Sequence, residues 1–178
     1  KDSGVEFVFI RLGGRGTTEG AIYADEMCQT YYEGAKAAGL KVGGYFFSQS
    51  ISPEEAAEEA RYAMSIVEGW ELDMPLVFDW ECLKENYRTV NVDARTLTDI
   101  QLHFCKTMTE MGYQPMIYFN WHQSEKLYYL SELEEYPFWL ALYQDRMTYP
   151  YKVEMWQYTD QGKVPGIAGN VDINVYMP

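Results

Sequence analysis

Asp79 and Glu81 are the residues whose types and spacing suit chemistry best in this chain. They close the stretch 75–81, Pro-Leu-Val-Phe-Asp-Trp-Glu, an apolar run that ends in two acids flanking a tryptophan. Proline is tolerated at the first residue of a strand. Leu76, Val77 and Phe78 suit a strand covered on both faces. Side chains alternate across a strand, so Val77, Asp79 and Glu81 share one face and Leu76, Phe78 and Trp80 the other. Two residues of strand set the acids about 6.6–7 Å apart at Cα. Two carboxyls on one face, at the carboxyl end of a buried strand, are poised for acid–base work on one small substrate group. The plainer reading is a strand running out into solvent with two charges, so the surroundings of the pair must decide.

Periodicity supplies those surroundings. Val5–Leu12 reads as a buried strand, broken by Gly13, Gly14 and Gly16. These glycines fit neither a phosphate loop nor a dinucleotide fingerprint and read as a flexible loop at a barrel mouth. A helix follows over 25–38, with Met27, Tyr31, Ala35 and Ala38 on its apolar stripe and Gly39 ending it. Lys41–Ser48 is a strand with Gly43, Tyr45 and Phe47 on one face. Ser52, Pro53 and Glu55 form a capping-box start for the next helix, whose buried stripe is Ala56, Ala60, Met64 and Val67. After the 75–81 strand come a polar loop over 82–93 and a helix over 94–111. A strand at Pro115–Asn120 precedes a helical stretch over 124–135. Strands over 138–144, 153–159 and 171–176 complete the chain. Strand–helix alternation repeated about four times implies a mostly parallel α/β sheet. Seven strands are legible where a βα barrel has eight, and Asp79, Glu81 and Asp172 lie toward one mouth. No boundary divides residues 1–178, which read as one domain.

Composition narrows the function classes. The net charge of −13 argues against nucleic acid and anionic membrane as partners. No apolar run is long enough to span a bilayer. Cys28, Cys82 and Cys105 are widely spaced and odd in number, and His103 and His122 are the only histidines. No disulfide framework, zinc spacing or histidine-built metal site is therefore expected. Sixteen tyrosines and five tryptophans suit hydroxyl-rich ligands such as sugars, because their rings join an apolar face to a polar edge.

Seven stretches, in this order and spacing, resemble the glycoside hydrolase family 25 lysozymes of the Chalaropsis type. They are Gly-Val-Glu-Phe-Val-Phe-Ile-Arg at 4–11, Ala-Gly-Leu-Lys-Val-Gly-Gly-Tyr-Phe-Phe-Ser at 38–48, the 75–81 stretch, and Gly-Tyr-Gln-Pro-Met-Ile-Tyr at 112–118. Phe-Trp-Leu-Ala-Leu-Tyr at 138–143, Trp-Gln-Tyr at 156–158 and Val-Pro-Gly-Ile-Ala-Gly-Asn-Val-Asp-Ile-Asn at 164–174 complete the set. The resemblance implies an irregular TIM-like (β/α)5(β)3 barrel. It implies cleavage of the β-1,4 bond between N-acetylmuramic acid and N-acetylglucosamine in bacterial peptidoglycan, without metal or cofactor. By the same resemblance Glu81 is the general acid, Asp79 its electrostatic partner or a base, and Asp172 a third acid of the site. Tyr45, Tyr118, Trp139, Tyr143 and Trp156 match an aromatic wall, and Arg11 either binds substrate or pairs with an acid. Whether the reaction proceeds through the substrate's own N-acetyl group or by inversion stays open. A secreted or wall-associated enzyme, or a phage endolysin, is implied; a wall-binding module without activity and a hydrolase of another β-1,4 N-acetylhexosaminide are the alternatives.

The family's opening strand, with Asp-Val-Ser and then Gln-Gly, has no counterpart in these 178 residues. The expectation is therefore a barrel lacking its first strand, with free edges at Val5–Leu12 and Val171–Tyr176. Val171, Ile173 and Val175 are expected to keep helices on their outer side. A monomer is expected, with an edge-mediated dimer if that strand is truly absent.

Overall fold

The computed structural model describes residues 3–82 and 84–178. Lys1, Asp2 and Leu83 lie outside it, and with Leu83 part of the 82–93 loop. In chain order the elements are β1 (Phe7–Arg15), β2 (Ile22–Ala24), α1 (Cys28–Ala37), β3 (Lys41–Ser48), α2 (Pro53–Ile66) and β4 (Leu76–Trp80). Then come α3 (Ala94–Glu110), β5 (Pro115–Asn120), α4 (Trp121–Lys126), β6 (Phe138–Ala141), β7 (Met155–Gly162) and β8 (Val171–Tyr176). Among the described residues, eight strands form one α/β sheet in the order β2-β1-β3-β4-β5-β6-β7-β8. The pairings from β1 through β7 are parallel, and hairpins add β2 and β8 antiparallel at the ends.

The alternation read over 75–81 sets the two layers. Leu76, Phe78 and Trp80 enter the larger core beneath the helices, with Ala60 and Met64 of α2 and Phe104 and Met108 of α3. Phe78 and Phe104 meet at 4.3 Å between ring centroids. Val77 faces the other way, into a smaller cluster with Met74, Met116, Trp139 and Met155. Helix ends follow their signals. Asp93 caps α3 by accepting from the Thr96 N–H at 2.8 Å, and Gly39 takes φ +70° where α1 gives way to β3. Ser52 accepts from the Glu55 N–H, while the Glu55 carboxylate reaches back to the Ile51 N–H rather than to the N-cap itself.

Several expectations are corrected. Gly13 and Gly14 form no loop: they continue β1 and pair with Ala24 and Tyr23 of β2. A Cβ on Gly13 would sit 2.1 Å from the Tyr23 carbonyl oxygen, so glycine here marks a close backbone approach. A strand that the pattern did not announce is β2, a three-residue antiparallel partner of the end of β1. Met27 and Tyr31 are exposed, and α1 instead buries Cys28 and turns Tyr32 onto Trp70 in a 4.2 Å stack. The helical stretch after β5 is α4 and a 3-10 turn at Leu130–Glu132. Val175 is 41% exposed, short of the helical cover expected of it. The sheet curls into a half-barrel. Among the described residues β8 and β1 share no ladder.

Candidate active site

The inner face of the sheet and the facing edges of β1 and β8 enclose an open cleft of about 1470 Å³. Its lining includes Tyr45, Asp79, Glu81, Tyr118, Trp139 and Asp172. Six of the nine residues singled out from sequence therefore meet in one concavity. The parallel register explains this: Tyr45 pairs with Val77, Asp79 with Tyr118, and Tyr118 with Trp139. In-register neighbours place these side chains across one face.

Asp79 is half-buried near the end of β4, and Glu81 follows just beyond it. Their carboxyls are within hydrogen-bond reach of each other. Both titrate above the ordinary carboxylate range. For Asp79 the cause is first burial, then the negative charge of Glu81, with Asp172 adding to it and Arg11 opposing. For Glu81 it is again burial, with Asp172 adding and the Asp79 hydrogen bond opposing. Asp79 Oδ1 is buried and makes no hydrogen bond. Two like charges this close do not both ionise readily, so the pair tends to hold a proton between its members. Asp172, on β8, is exposed and also raised, by partial burial and then by Asp160.

The aromatic residues are fixed by polar ties. The Gln157 side-chain oxygen accepts from the Tyr118 hydroxyl at 3.0 Å and the Tyr143 hydroxyl at 2.9 Å. The Trp139 indole donates to Asn174 at 2.9 Å, tying β6 to β8. Trp139 also meets Tyr118 edge-on at 5.2 Å and Phe9 at 4.8 Å. Tyr45 is pushed up to about 12 by burial and then by Asp79, so its hydroxyl keeps its proton. Gln157 and Asn174 were missed as site residues. Strand parity could have found them, since Gln157 alternates with Trp156 and Asn174 shares a face with Asp172.

Three singled-out residues stand apart from the lining. Arg11 hydrogen-bonds the Tyr23 hydroxyl and lies over the Tyr23 and Phe47 rings, close enough to act on Asp79 electrostatically. Tyr143 is exposed at the rim and reaches inward only through its bond to Gln157. Trp156 is corrected: it turns to the opposite face of β7 from Met155, packs against the larger core and donates to the Leu142 carbonyl at 2.7 Å. Among the described residues no group of three His, Cys, Asp or Glu side chains is arranged to hold a metal ion.

Comparison with known proteins gives this geometry a context. The family model described as "Glycosyl hydrolases family 25" matches residues 1–167. The "Autolytic lysozyme" of Clostridium acetobutylicum is 29% identical over 178 residues, covering 99% of this chain and 50% of that protein. The chain spans half to about three-fifths of the length of the curated relatives it matches. Among solved structures, the Clostridium perfringens spore cortex lytic enzyme SleM superposes with a TM-score of 0.83 at 21% identity, over 99% of this chain and 61% of that one. The modular autolysin LytC of Streptococcus pneumoniae, in complex with a synthetic peptidoglycan ligand, gives a TM-score of 0.83 at 23% identity, over 98% of this chain and 41% of that one. These structural likenesses establish the shared fold.

Proposed function

The chain belongs to the family 25 glycosyl hydrolases, and from that premise we propose that it hydrolyses the β-1,4 bond between N-acetylmuramic acid and N-acetylglucosamine in bacterial peptidoglycan. One observation carries the reading: two carboxyls with raised pKa values sit side by side on the floor of an open, aromatic-walled cleft. Among relatives, an autolytic lysozyme and an autolysin seen with a peptidoglycan ligand point to the same substrate. An open cleft of this volume suits a polymer lying through it better than a small enclosed ligand.

Glu81 donates its proton to the glycosidic oxygen as the bond to the sugar carbon breaks. Asp79, as the carboxylate, steadies the positive charge that develops on the sugar side. Water then adds at that carbon and restores the proton. In this reading Asp79 acts as the electrostatic partner of Glu81 rather than as the base of an inverting pair. Charge development is therefore met by Asp79 directly or through the substrate's N-acetyl oxygen. Trp139, Tyr45 and Tyr118 offer faces and edges to the sugar rings, and Asp172 approaches from β8. The work is done in the bacterial wall, from outside the cell or as an endolysin.

The test is turbidity loss of purified bacterial walls, with the newly formed reducing ends identified as muramic acid or glucosamine. New muramic acid ends that vanish in Glu81→Gln support the reading. Walls bound without any new ends would make this a binding module instead.

A further inference from the structure

The β4 backbone runs past the ladders that hold it. Its register with β3 ends at Ser48 and Trp80, and its register with β5 ends at Asp79 and Tyr118. The carbonyls of Trp80 and Glu81 thus leave the sheet just where the proton donor stands. Two buried glutamines meet them. Gln49 Nε2 donates to the Glu81 carbonyl at 2.6 Å and to the Ser48 carbonyl at 2.9 Å, bridging the ends of β4 and β3. Gln123 Nε2 donates to the Trp80 carbonyl at 3.0 Å from the other side. The Trp80 indole adds a bond to the Ser50 carbonyl at 2.9 Å.

Each carboxamide is aimed by a second bond to its oxygen. The Thr89 hydroxyl donates to Gln49 Oε1 at 3.3 Å. The Asn120 N–H donates to Gln123 Oε1 at 2.9 Å, as part of the capping box of α4. The loop after Glu81 is fastened to the same point: Arg88 donates to the Gln49 carbonyl at 3.1 Å and pairs with Glu55 at 2.8 Å. Gln49 is fully buried and Gln123 is 5% exposed, and neither lines the cleft. A buried carboxamide is costly unless its donors and acceptor are met, so these bonds strongly favour one arrangement.

We propose that Gln49 and Gln123 are positioning residues for Glu81: their carboxamides extend the sheet's hydrogen bonding past the end of β4 and hold the Glu81 carboxyl beside Asp79. The claim rests on the reading of Glu81 as the proton donor, but its geometry can be tested without activity. Around Glu81 the charged groups are Asp79, Asp172 and, through Asp79, Arg11. A Glu81 released from the clamp swings toward the open cleft and sheds part of its burial.

The experiment is a ¹³C NMR titration of the side-chain carboxyls of the wild-type chain and of Gln49→Met, joined to wall-lysis kinetics. Gln49→Met is expected to move the Glu81 midpoint down toward that of an ordinary glutamate. It should lower kcat about 10²-fold, the loss that a misplacement of about 1 Å can cause, with KM little changed. Thr89→Val, which only unaims the carboxamide, should shift the midpoint the same way by less. Phe104→Leu, a packing change in the outer core, should lower the thermal midpoint and leave the Glu81 titration in place. An unmoved Glu81 midpoint in Gln49→Met overturns the proposal. If that variant does not fold, an unmoved midpoint in Thr89→Val overturns it instead. A wild-type chain that titrates as described but releases no muramic acid ends would refute the hydrolase reading and leave the clamp standing.

Discussion

Glu59 and Asp79 are both acids drawn into the interior, one on each side of the sheet. Glu59, on α2, is fully buried and meets Arg15 at 2.7 Å; Arg15 is itself 5% exposed and bonds Glu58 and the Gly20 carbonyl as well. Asp79, on the inner face, has Glu81 beside it, and the nearest cation acting on it, Arg11, is turned toward Tyr23. Burial raises both groups, Glu59 to about 7 against the opposing pull of Ser48 and Arg15. At Glu59 the cation, the ladder strand β1 and the helix are joined by one pair, which makes the acid a fastener. At Asp79 the neighbouring acid adds to the cost of burial, and nothing in the packing demands it. A buried acid given a cation reads as architecture, and a buried acid given a second acid reads as chemistry.

The largest effect expected of this contrast is on rate. Glu81→Gln should cut wall lysis by about 10²–10⁴-fold, the typical contribution of a positioned acid. Its fold, followed by circular dichroism, should be unchanged. A Glu81→Gln protein keeping half its lysis rate would remove Glu81 as proton donor and dissolve the contrast.

Next is the stability of the fastener. Arg15→Met leaves Glu59 buried without its ion partner, and breaking such a pair typically costs about 3–5 kcal/mol. Urea unfolding should show that loss. A loss under about 1 kcal/mol, the level of exposed pairs, would mean that Glu59 is carried by other groups and is no counterpart to Asp79.

The pH dependence sharpens the comparison further. Asp79, Glu81 and Glu59 all have folded values above their unfolded ones. Such acids impose no penalty below the ordinary carboxylate range, where both states are protonated. Their penalty grows as pH rises from there through the folded values, because the unfolded chain ionises first. Stability carried by these groups should therefore decline from about pH 4.5 toward neutrality, by thermal unfolding at a pH series. Lysis should be bell-shaped on the acidic side of neutral, falling on the alkaline limb as the pair loses its last proton. Lysis still climbing at alkaline pH would contradict a shared proton.

How much of this was legible in sequence depends on which physical rule carried it. The period of two over 75–81 placed Asp79 and Glu81 on the face opposite Phe78 and Trp80, as found, because both faces of that strand are covered and register has no freedom. Trp156 failed by neglect of the same rule: its resemblance to a family motif outweighed its alternation with Met155 and Gln157. Gly13 and Gly14 misled because glycine marks both loops and close backbone contact, and only the partner strand distinguishes them. The glutamines that grip β4 were invisible, since Gln49 and Thr89 lie 40 residues apart and no local pattern links them.

The smallest effect expected is also the one that separates the two acids by sign. Asp79→Asn removes the group whose ionisation the site opposes, while its amide can still donate to Glu81 as the protonated acid does. At neutral pH the variant should melt higher than its parent, by about 2–4 °C, the shift that about 1 kcal/mol produces in a chain of this length. At pH values where Asp79 is already protonated the two curves should converge, because the substitution then replaces one neutral donor by another. Lysis should nevertheless fall, since the developing charge loses its carboxylate. A more stable and less active protein is the signature of a site kept at the expense of the fold. Were Asp79→Asn instead to melt lower at neutral pH, Asp79 would be an acid held by a cation, as Glu59 is by Arg15. Arg11 would then have to be its partner, and the two faces of the sheet would be treating their acids alike.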